Sequence, residues 1–395
     1  MKGTVDKRIG TNGRVSYRVR VELPADPITG KRQYRVVGSF RTRKEADSEL
    51  TRAVAKVDRG TFVDATKMTT AELLTLWLDQ HRHNIRPATN QQYTNLVNAH
   101  LIPSLGMVPL QKLAPPHLAA MYAEKRVNGR RIGTGGLAPR TVRHLHVVMH
   151  EALDFAVKMQ LVSRNVADVV NAPRFSRKEM TTWTPQDIRT FLVTAEGDTY
   201  SPIWLLYVTT GLRRGEALGL RWRDVDFAAG RLQVAQSVVD VGGHVHIQEP
   251  KTNAARRSVH LSPACLDALA EHRNRQPRRL PTEPNHDLIF TTGDGKPIQP
   301  RVLARAFDVL QAKAKVPRIR LHDLRHTHAS LLFNDGKNIK MISQRLGHSD
   351  VGITLSVYAH LAHDAQDEAA DSIDGLIFGD DPKASASKAR PNRSA

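Results

Sequence analysis

Cysteine is almost missing from this chain. Cys265 is the only one in 395 residues, which excludes an internal disulfide framework and a cysteine-rich zinc site. Long apolar runs are missing too. No stretch approaches the roughly 18 apolar residues that a membrane helix needs. The opening Met1-Lys2-Gly3-Thr4-Val5-Asp6 has no apolar core, so no signal peptide is expected. Acidic residues are scarce relative to basic ones: 39 Asp and Glu against 58 Lys and Arg, a net charge of +19 and an isoelectric point near 10.3. What is present is ordinary for a folded protein, with 40% hydrophobic and 25% charged residues. At roughly 100–200 residues per domain the length predicts two to four domains. A cytoplasmic chain with no membrane partner is expected. The positive excess suits a polyanion, through steering and counterion release. Nucleic acid is the reading adopted; a ribosomal or membrane-surface protein is the plainer alternative.

Residues 1–60 carry 15 Lys and Arg against 7 Asp and Glu. Val15, Tyr17, Val19 and Val21 alternate with Arg14, Ser16, Arg18 and Arg20, the period of a strand with one basic face. Pro27-Ile28-Thr29-Gly30 signals a turn, and residues 32–40 read as the partner strand. Thr42 and Glu45 form a capping box for a helix that runs to Arg59-Gly60. A small sheet and helix of this charge fit a reader of a DNA groove, or else a merely solvated basic face. Residues 66–172 read as all-helical. Leu73, Leu74, Trp77 and Leu78 follow a Thr69/Thr70 cap. Tyr93, Leu96, Val97, His100 and Leu101 make a second stripe. Val142, Leu145, Val148, Met149, Ala152, Leu153 and Ala156 make a third. These stripes are core. A Gly- and Arg-rich loop at residues 128–136 separates them.

Residues 173–182 form a basic linker, after which Thr184 and Pro185 open a new helix. From there to about residue 374 the pattern is mixed and mainly helical. Residues 231–238 and 244–248 read as strands joined through Gly242-Gly243, and 256–261 as a third. The Ser-, Ala-, Lys- and Arg-rich tail at 379–395 reads as disordered.

Phosphate chemistry without a metal needs Arg forks, because a guanidinium binds two oxygens at once and stays protonated. Thr210-Gly211-Leu212-Arg213-Arg214-Gly215-Glu216 puts Arg213 where one helix breaks and the next begins, a position that favours an anion. Glu216 is placed to orient the Arg; a surface Arg pair is the plain alternative. In His322-Asp323-Leu324-Arg325-His326, His322 and Arg325 share a helix face. His322 and His326 are also spaced like the two ligands of a zinc peptidase, but that motif wants Glu where Asp323 stands, so no metal is expected. Leu346-Gly347-His348 follows, and then Tyr358, a residue type that is usually packing and needs nearby cations to act as a nucleophile. Lys251 lies between two expected strands, on a hairpin tip, where a lysine is idle or delivers a proton to a leaving oxygen.

Arg, then hairpin Lys, then His-x-x-Arg, then His, then Tyr, in that order, resembles the tyrosine recombinases of the phage-integrase type. The resemblance is close in residues 209–222, 249–261, 321–330 and 346–358. It implies a multidomain fold. A small α+β arm-type DNA-binding domain would occupy 1–62, a helical, SAM-like core-binding domain 66–172, and a mainly helical, mixed α+β catalytic domain 180–375. It implies Tyr358 as nucleophile through a 3′-phosphotyrosine, Arg213 and Arg325 on the phosphate oxygens, His322 and His348 beside them, Lys251 as general acid and Glu216 in support. Arg14, Arg18, Arg20, Arg35, Arg140 and Arg143 are candidate DNA contacts. No cofactor is implied. The implied partners are double-stranded DNA at core and arm sites, further copies of the chain in a tetramer, and an excisionase or host DNA-bending factor, in a bacterial cytoplasm at the nucleoid. A last helix after Tyr358 would dock on a neighbouring copy. The implied activity is integration and excision of a mobile element. A chromosome-resolution or conjugative-transposon recombinase, a type I topoisomerase and a non-catalytic DNA-binding regulator are the alternatives.

Overall fold

Capping boxes and apolar stripes set the local structure. The computed structural model describes residues 3–11, 13–25, 28–175, 180–250, 256–276 and 287–347, with Gly352 and Ile373 beyond them. Lys251, His348, Tyr358, the segment after it apart from Ile373, and the 379–395 tail lie outside the described residues. The chain divides into two compact units, Met1–Arg177 and Lys178–Ala395.

The first unit opens with an antiparallel sheet of β1 (Gly3–Ile9), β2 (Val15–Leu23) and β3 (Gln33–Phe40), in that order. The alternation in β2 turns Val19 and Val21 inward. There α1 (Arg43–Asp58), capped reciprocally by Thr42 and Glu45, packs Ala53 and Val57 against Val21. Strand β1 had no sequence signal, because only Val5 and Ile9 in it are large apolar residues. Five helices follow: α2 (Thr70–His81), α3 (Pro87–Leu96), α4 (Ile102–Leu105), α5 (Pro115–Asn128) and α6 (Pro139–Lys158). A single wider turn, Val97–Leu101, joins α3 to α4. All seven apolar residues expected on one face of α6 are buried, and each large one contributes about 1.5–3 kcal/mol by leaving water.

The second unit begins with α7 (Pro185–Thr194), whose Thr184 accepts from the Asp187 backbone N–H while the Asp187 carboxylate accepts from Thr184. Next come α8 (Ser201–Thr210), the short α9 (Arg214–Leu218), then β4 (Val225–Asp226), β5 (Arg231–Val234), β6 (Ser237–Val241), β7 (His244–Gln248) and β8 (Arg257–His260). Helices α10 (Pro263–Arg275), α11 (Pro300–Ala314), α12 (Asp323–Asn334) and α13 (Ile339–Leu346) complete it. Trp183, Phe191, Trp204 and Phe307 meet at the centre with ring centroids 5.0–6.0 Å apart. Cys265 is buried in the same core, and burial raises its thiol to about 11.

Two expectations are overturned by the sheet pairing. Residues 231–238 do not form one strand. β5 pairs with β4 and β8, whereas β6 pairs with β7 in a separate hairpin. The break lies at Ala235 and Gln236, where the buried side-chain amide of Gln236 donates to the Gly219 carbonyl at 2.9 Å. Nor do the strands on either side of Lys251 form a hairpin, since β7 and β8 belong to different sheets. No described helix is long and apolar enough to cross a membrane.

Candidate active site

The site is assembled at three chain reversals of the second unit. α8 ends at Gly211, whose φ of +65° is a left-handed conformation that L side chains rarely adopt. A Cβ there would also lie 2.7 Å from both the His328 ring and Leu346. The reversal leaves Arg213 as the cap of α9. Its backbone N–H donates to Glu216 Oε2 at 2.9 Å, and its Nη1 donates to Glu216 Oε1 at 2.7 Å. Gly215 lets α9 lie on β6, because a Cβ would meet the Val238 carbonyl at 2.4 Å.

Glu216 is buried between two guanidiniums. Arg257 of β8 donates Nη1 to its Oε1 at 3.2 Å and Nη2 to its Oε2 at 2.9 Å. Burial by itself raises the Glu216 carboxyl. The Arg257 bonds and the Arg213 charge outweigh it and hold the group at about 2.

The second reversal is the start of α12. His322 caps it, and Arg325 lies one turn on, so the i,i+3 spacing brings the pair to one side. Arg325 is 3% exposed. Its Nη1 donates to the Gly211 carbonyl at 2.8 Å and its Nη2 to the Leu346 carbonyl at 2.7 Å. His322 keeps an open side to solvent. Burial of its other side, then the charges of His326, Arg325 and Arg213, displace its pKa downward, and the ring is neutral at pH 7. Its ring meets that of His326 edge-on at 5.3 Å. Asp323 is occupied by a fork from Arg320, at 2.8 and 3.0 Å, so it is not placed as the general base of a His322–His326 metal site. Among the described residues, the ligand atoms close enough together to hold an ion belong to His150, Asp154 and Asp168, in the other unit.

The third reversal is the end of α13 at Gly347, with φ of +66°. Three arginines from three elements converge on its last carbonyls. Arg257 Nε donates to Arg345 O at 2.7 Å, Arg325 Nη2 to Leu346 O, and Arg213 Nη2 to Gly347 O at 3.0 Å. A helix C-terminus carries partial negative charge, so cations are stable there. Behind this end, Arg345 donates to the Thr209 carbonyl at 2.8 Å and to His328 Nε2 at 3.2 Å, while His328 Nδ1 faces the Val208 carbonyl at 2.9 Å. His328 is therefore neutral with its proton on Nδ1. Burial, then the charges of Arg345 and Arg325, hold it at about 4 against the opposing Val208 bond.

Of the residues singled out from sequence, Arg213, Glu216, His322 and Arg325 come together. Sequence reasoning missed Arg257, Arg345 and His328. Arg257 had a signal: it shares the alternating buried face of β8 with Val259, an odd place for a charge. In the first unit, Arg18 and Arg20 lie on the sheet face away from α1, with Arg18 half-buried and Arg20 paired to Asp6 at 2.6 Å. Arg35 stands opposite Val21, on the helix side, and donates to Asp64 at 2.9 Å. Arg14, Arg140 and Arg143 are exposed.

Comparison with known proteins gives three successive, separate matches. Residues 181–364 match the phage integrase family, 69–125 the phage integrase N-terminal SAM-like domain, and 6–57 an arm DNA-binding domain. The chain is 26% identical over 367 residues to the ICEBs1 integrase of Bacillus subtilis, covering 91% of this chain and 97% of that one. Its fold is similar to that of the Tn1549 transposon integrase in complex with a circular intermediate DNA, with a TM-score of 0.66 at 22% identity over 78% of this chain and 99% of that one. It is also similar to a lambda integrase tetramer bound to a Holliday junction, with a TM-score of 0.54 at 18% identity over 87% and 95% of the two chains.

Proposed function

The chain belongs to the phage integrase family of tyrosine recombinases, enzymes of site-specific DNA recombination, and from that premise we propose how its own residues carry the reaction. Tyr358 attacks the scissile phosphate. The bond to the 5′-oxygen breaks, and a 3′-phosphotyrosyl link and a free 5′-hydroxyl result. Arg213 and Arg325 hold the non-bridging oxygens and stabilise the charge that builds in the pentacoordinate transition state. Lys251 gives the proton to the leaving 5′-oxygen. His322 and His348 hydrogen-bond the phosphate or help to move the Tyr358 proton. The 5′-hydroxyl of a partner strand then reverses the step. The link conserves the energy of the phosphodiester, so the reaction draws on no nucleotide hydrolysis, and the two guanidiniums supply the charge that a metal ion gives elsewhere.

The observation that carries this reading is the convergence of Arg213 and Arg325 on adjacent carbonyls, Gly347 and Leu346, directly before His348, with His322 within their electrostatic reach. Two forks from different helices are thereby fixed before substrate arrives, which phosphoryl transfer by positioning demands. The chain binds DNA. Residues 1–62 are assigned to arm-type sites, residues 66–172 and 180–375 to the core site, and Tyr358 acts within a tetramer assisted by an excisionase or a bending factor. The likeness to a transposon integrase held with a circular intermediate supports a second reading, in which the mobile element is a conjugative transposon rather than a prophage.

The test is a duplex with a candidate core site, nicked near the scissile phosphate and incubated with wild type and Tyr358→Phe in EDTA. A covalent protein–DNA adduct from wild type alone supports Tyr358 as a metal-independent nucleophile. Adduct from both proteins moves the nucleophile elsewhere. Tight binding with no adduct from either overturns catalysis in favour of a DNA-binding regulator.

A further inference from the structure

Glu216 raises a problem for a residue meant to serve Arg213. A carboxylate paired with one guanidinium makes a neutral unit, and a neutral unit offers little to a phosphate. The surroundings of Glu216 resolve this. Its side chain is 5% exposed and meets two guanidiniums: that of Arg257, 6% exposed, on the inside, and that of Arg213, 38% exposed, on the outside. Two arginines and one carboxylate leave one net positive charge. Buried Arg257 spans both carboxylate oxygens, while the Arg213 guanidinium meets Oε1 alone, at 2.7 Å, so the surplus lies toward the arginine that reaches solvent.

Arg257 does a second thing with the same side chain. Its Nε donates to the Arg345 carbonyl, the first of the three consecutive carbonyls at the end of α13 whose other two accept from Arg325 and Arg213. The guanidinium therefore ties the partner of Arg213 to the helix end on which both other forks rest. It does so from β8, an element that carries none of the residues singled out from sequence. A buried guanidinium on the apolar face of a strand is costly and rare without such a pairing.

We propose that Arg257 is a positioning residue of the recombination reaction: by neutralising Glu216 and gripping the end of α13, it leaves the charge of Arg213 to the scissile phosphate and fixes the direction of its fork. This rests on the reading of Arg213 as a phosphate ligand. Arg257 itself touches no reacting atom.

A residue that only stabilises the fold affects every substrate alike, whereas one that tunes the charge met by the phosphate does not. The test compares adduct formation by wild type, Arg257→Gln and Arg257→Lys on two nicked core-site duplexes. One has an ordinary scissile phosphate. The other has a methylphosphonate there, which carries no negative charge. On the phosphodiester, Arg257→Gln is expected to bind within about 3-fold of wild type but to form adduct about 100-fold more slowly, the scale of losing one preorganised donor. Arg257→Lys, which keeps the charge without the fork, recovers part of that rate. On the methylphosphonate the gap between wild type and Arg257→Gln shrinks to under about 10-fold. An equal gap on both substrates overturns the proposal and leaves Arg257 a structural residue. If Arg257→Gln does not fold, the pair Glu216→Gln with Arg257→Gln carries the test, since both buried charges go together. It is expected to form adduct more slowly than wild type, because the Arg213 fork loses the partners that direct it, but by less than about 30-fold on the phosphodiester, because Arg213 keeps its full charge. A folded double variant about 100-fold slow on both substrates overturns the proposal. Wild type that forms no adduct on the phosphodiester defeats the reading of Arg213 on which the proposal rests, a result unlike either of the others.

Discussion

The two units use arginine in opposite ways. In the second unit the side chain of Arg257 is 6% exposed and Arg325 is as deeply buried, and they donate to carbonyls and a carboxylate fixed by other elements. On the N-terminal sheet the side chains of Arg20 and Arg35 are 44% and 48% exposed and end in single carboxylates, Asp6 and Asp64. The difference fits the two tasks proposed for them. Stabilising charge at one phosphorus atom requires donors held in place before the transition state forms. Holding a duplex requires only that positive charge be near many phosphates, where mobile side chains serve as well and counterion release provides the free energy. On that reading the mark of an arginine that acts on a reacting group is not burial alone, since Arg213 is 38% exposed, but attachment to several fixed partners, here Glu216 and the Gly347 carbonyl.

The sharpest way to break this contrast is Arg325→Lys. Lysine keeps the charge but cannot donate from two fixed positions to the Gly211 and Leu346 carbonyls. Adduct formation on the nicked duplex is expected to fall by about 100- to 1000-fold, while binding to a random-sequence duplex, measured by fluorescence anisotropy, stays near the wild-type value. A loss under about 10-fold would mean that charge alone suffices at the buried site, as on the sheet.

Local structure was largely legible in the sequence. Thr42, Thr69 and Thr184 each cap the helix expected of them, and the α6 stripe is buried in full, because caps and periodicity are short-range signals. Arg213 with Glu216 and His322 with Arg325 were legible for the same reason, lying three residues apart on one turn. What escaped was set by partners far along the chain. The break between β5 and β6 follows from their pairing with different partners, β8 and β7. Arg257 meets Glu216 from 41 residues away and the end of α13 from 88. His328 gains its function as a buried neutral acceptor only when α8 and α13 close over it. A strand pattern ending in Arg-Ser-Val-His looks the same whether its arginine faces water or a carboxylate.

Dense packing of cations around a neutral histidine is expected to make the second unit acid-sensitive. His328 has a folded pKa of about 4 against an ordinary 6.5. The unfolded chain therefore binds the extra proton first, and stability is lost as pH falls from about 6.5 to 4. Protonation would set the new Nε2–H against the Arg345 Nε–H that it now accepts from. Glu216 acts lower down: its stabilisation is complete above its ordinary 4.5 and disappears as pH falls through about 2. Thermal unfolding of the full chain is expected to show a falling Tm for the catalytic unit between pH 6.5 and 4.5. His328→Gln, which can still face both partners without titrating, is expected to flatten that fall at some cost in Tm at pH 7. An unchanged slope in His328→Gln would assign the acid lability to another group.

The smallest effect is expected on the sheet, and its sign is informative. Arg20 faces away from α1 with Asp6 beside it, so that carboxylate offsets part of the charge a phosphate would meet there. In titrations of a random-sequence duplex at increasing NaCl, Arg20→Ala is expected to reduce the log–log salt slope by about one, as when one fewer phosphate is neutralised. Asp6→Asn is expected to act the other way and strengthen binding, because it frees Arg20 and removes a negative charge from the same face. Adduct formation on a saturating nicked core-site duplex should stay at wild-type level for both variants, since neither residue belongs to the unit that does the chemistry. If Asp6→Asn weakens binding instead, the ion pair is itself what orients Arg20 toward DNA, and this sheet arginine is preorganised by a carboxylate in the manner of Arg213.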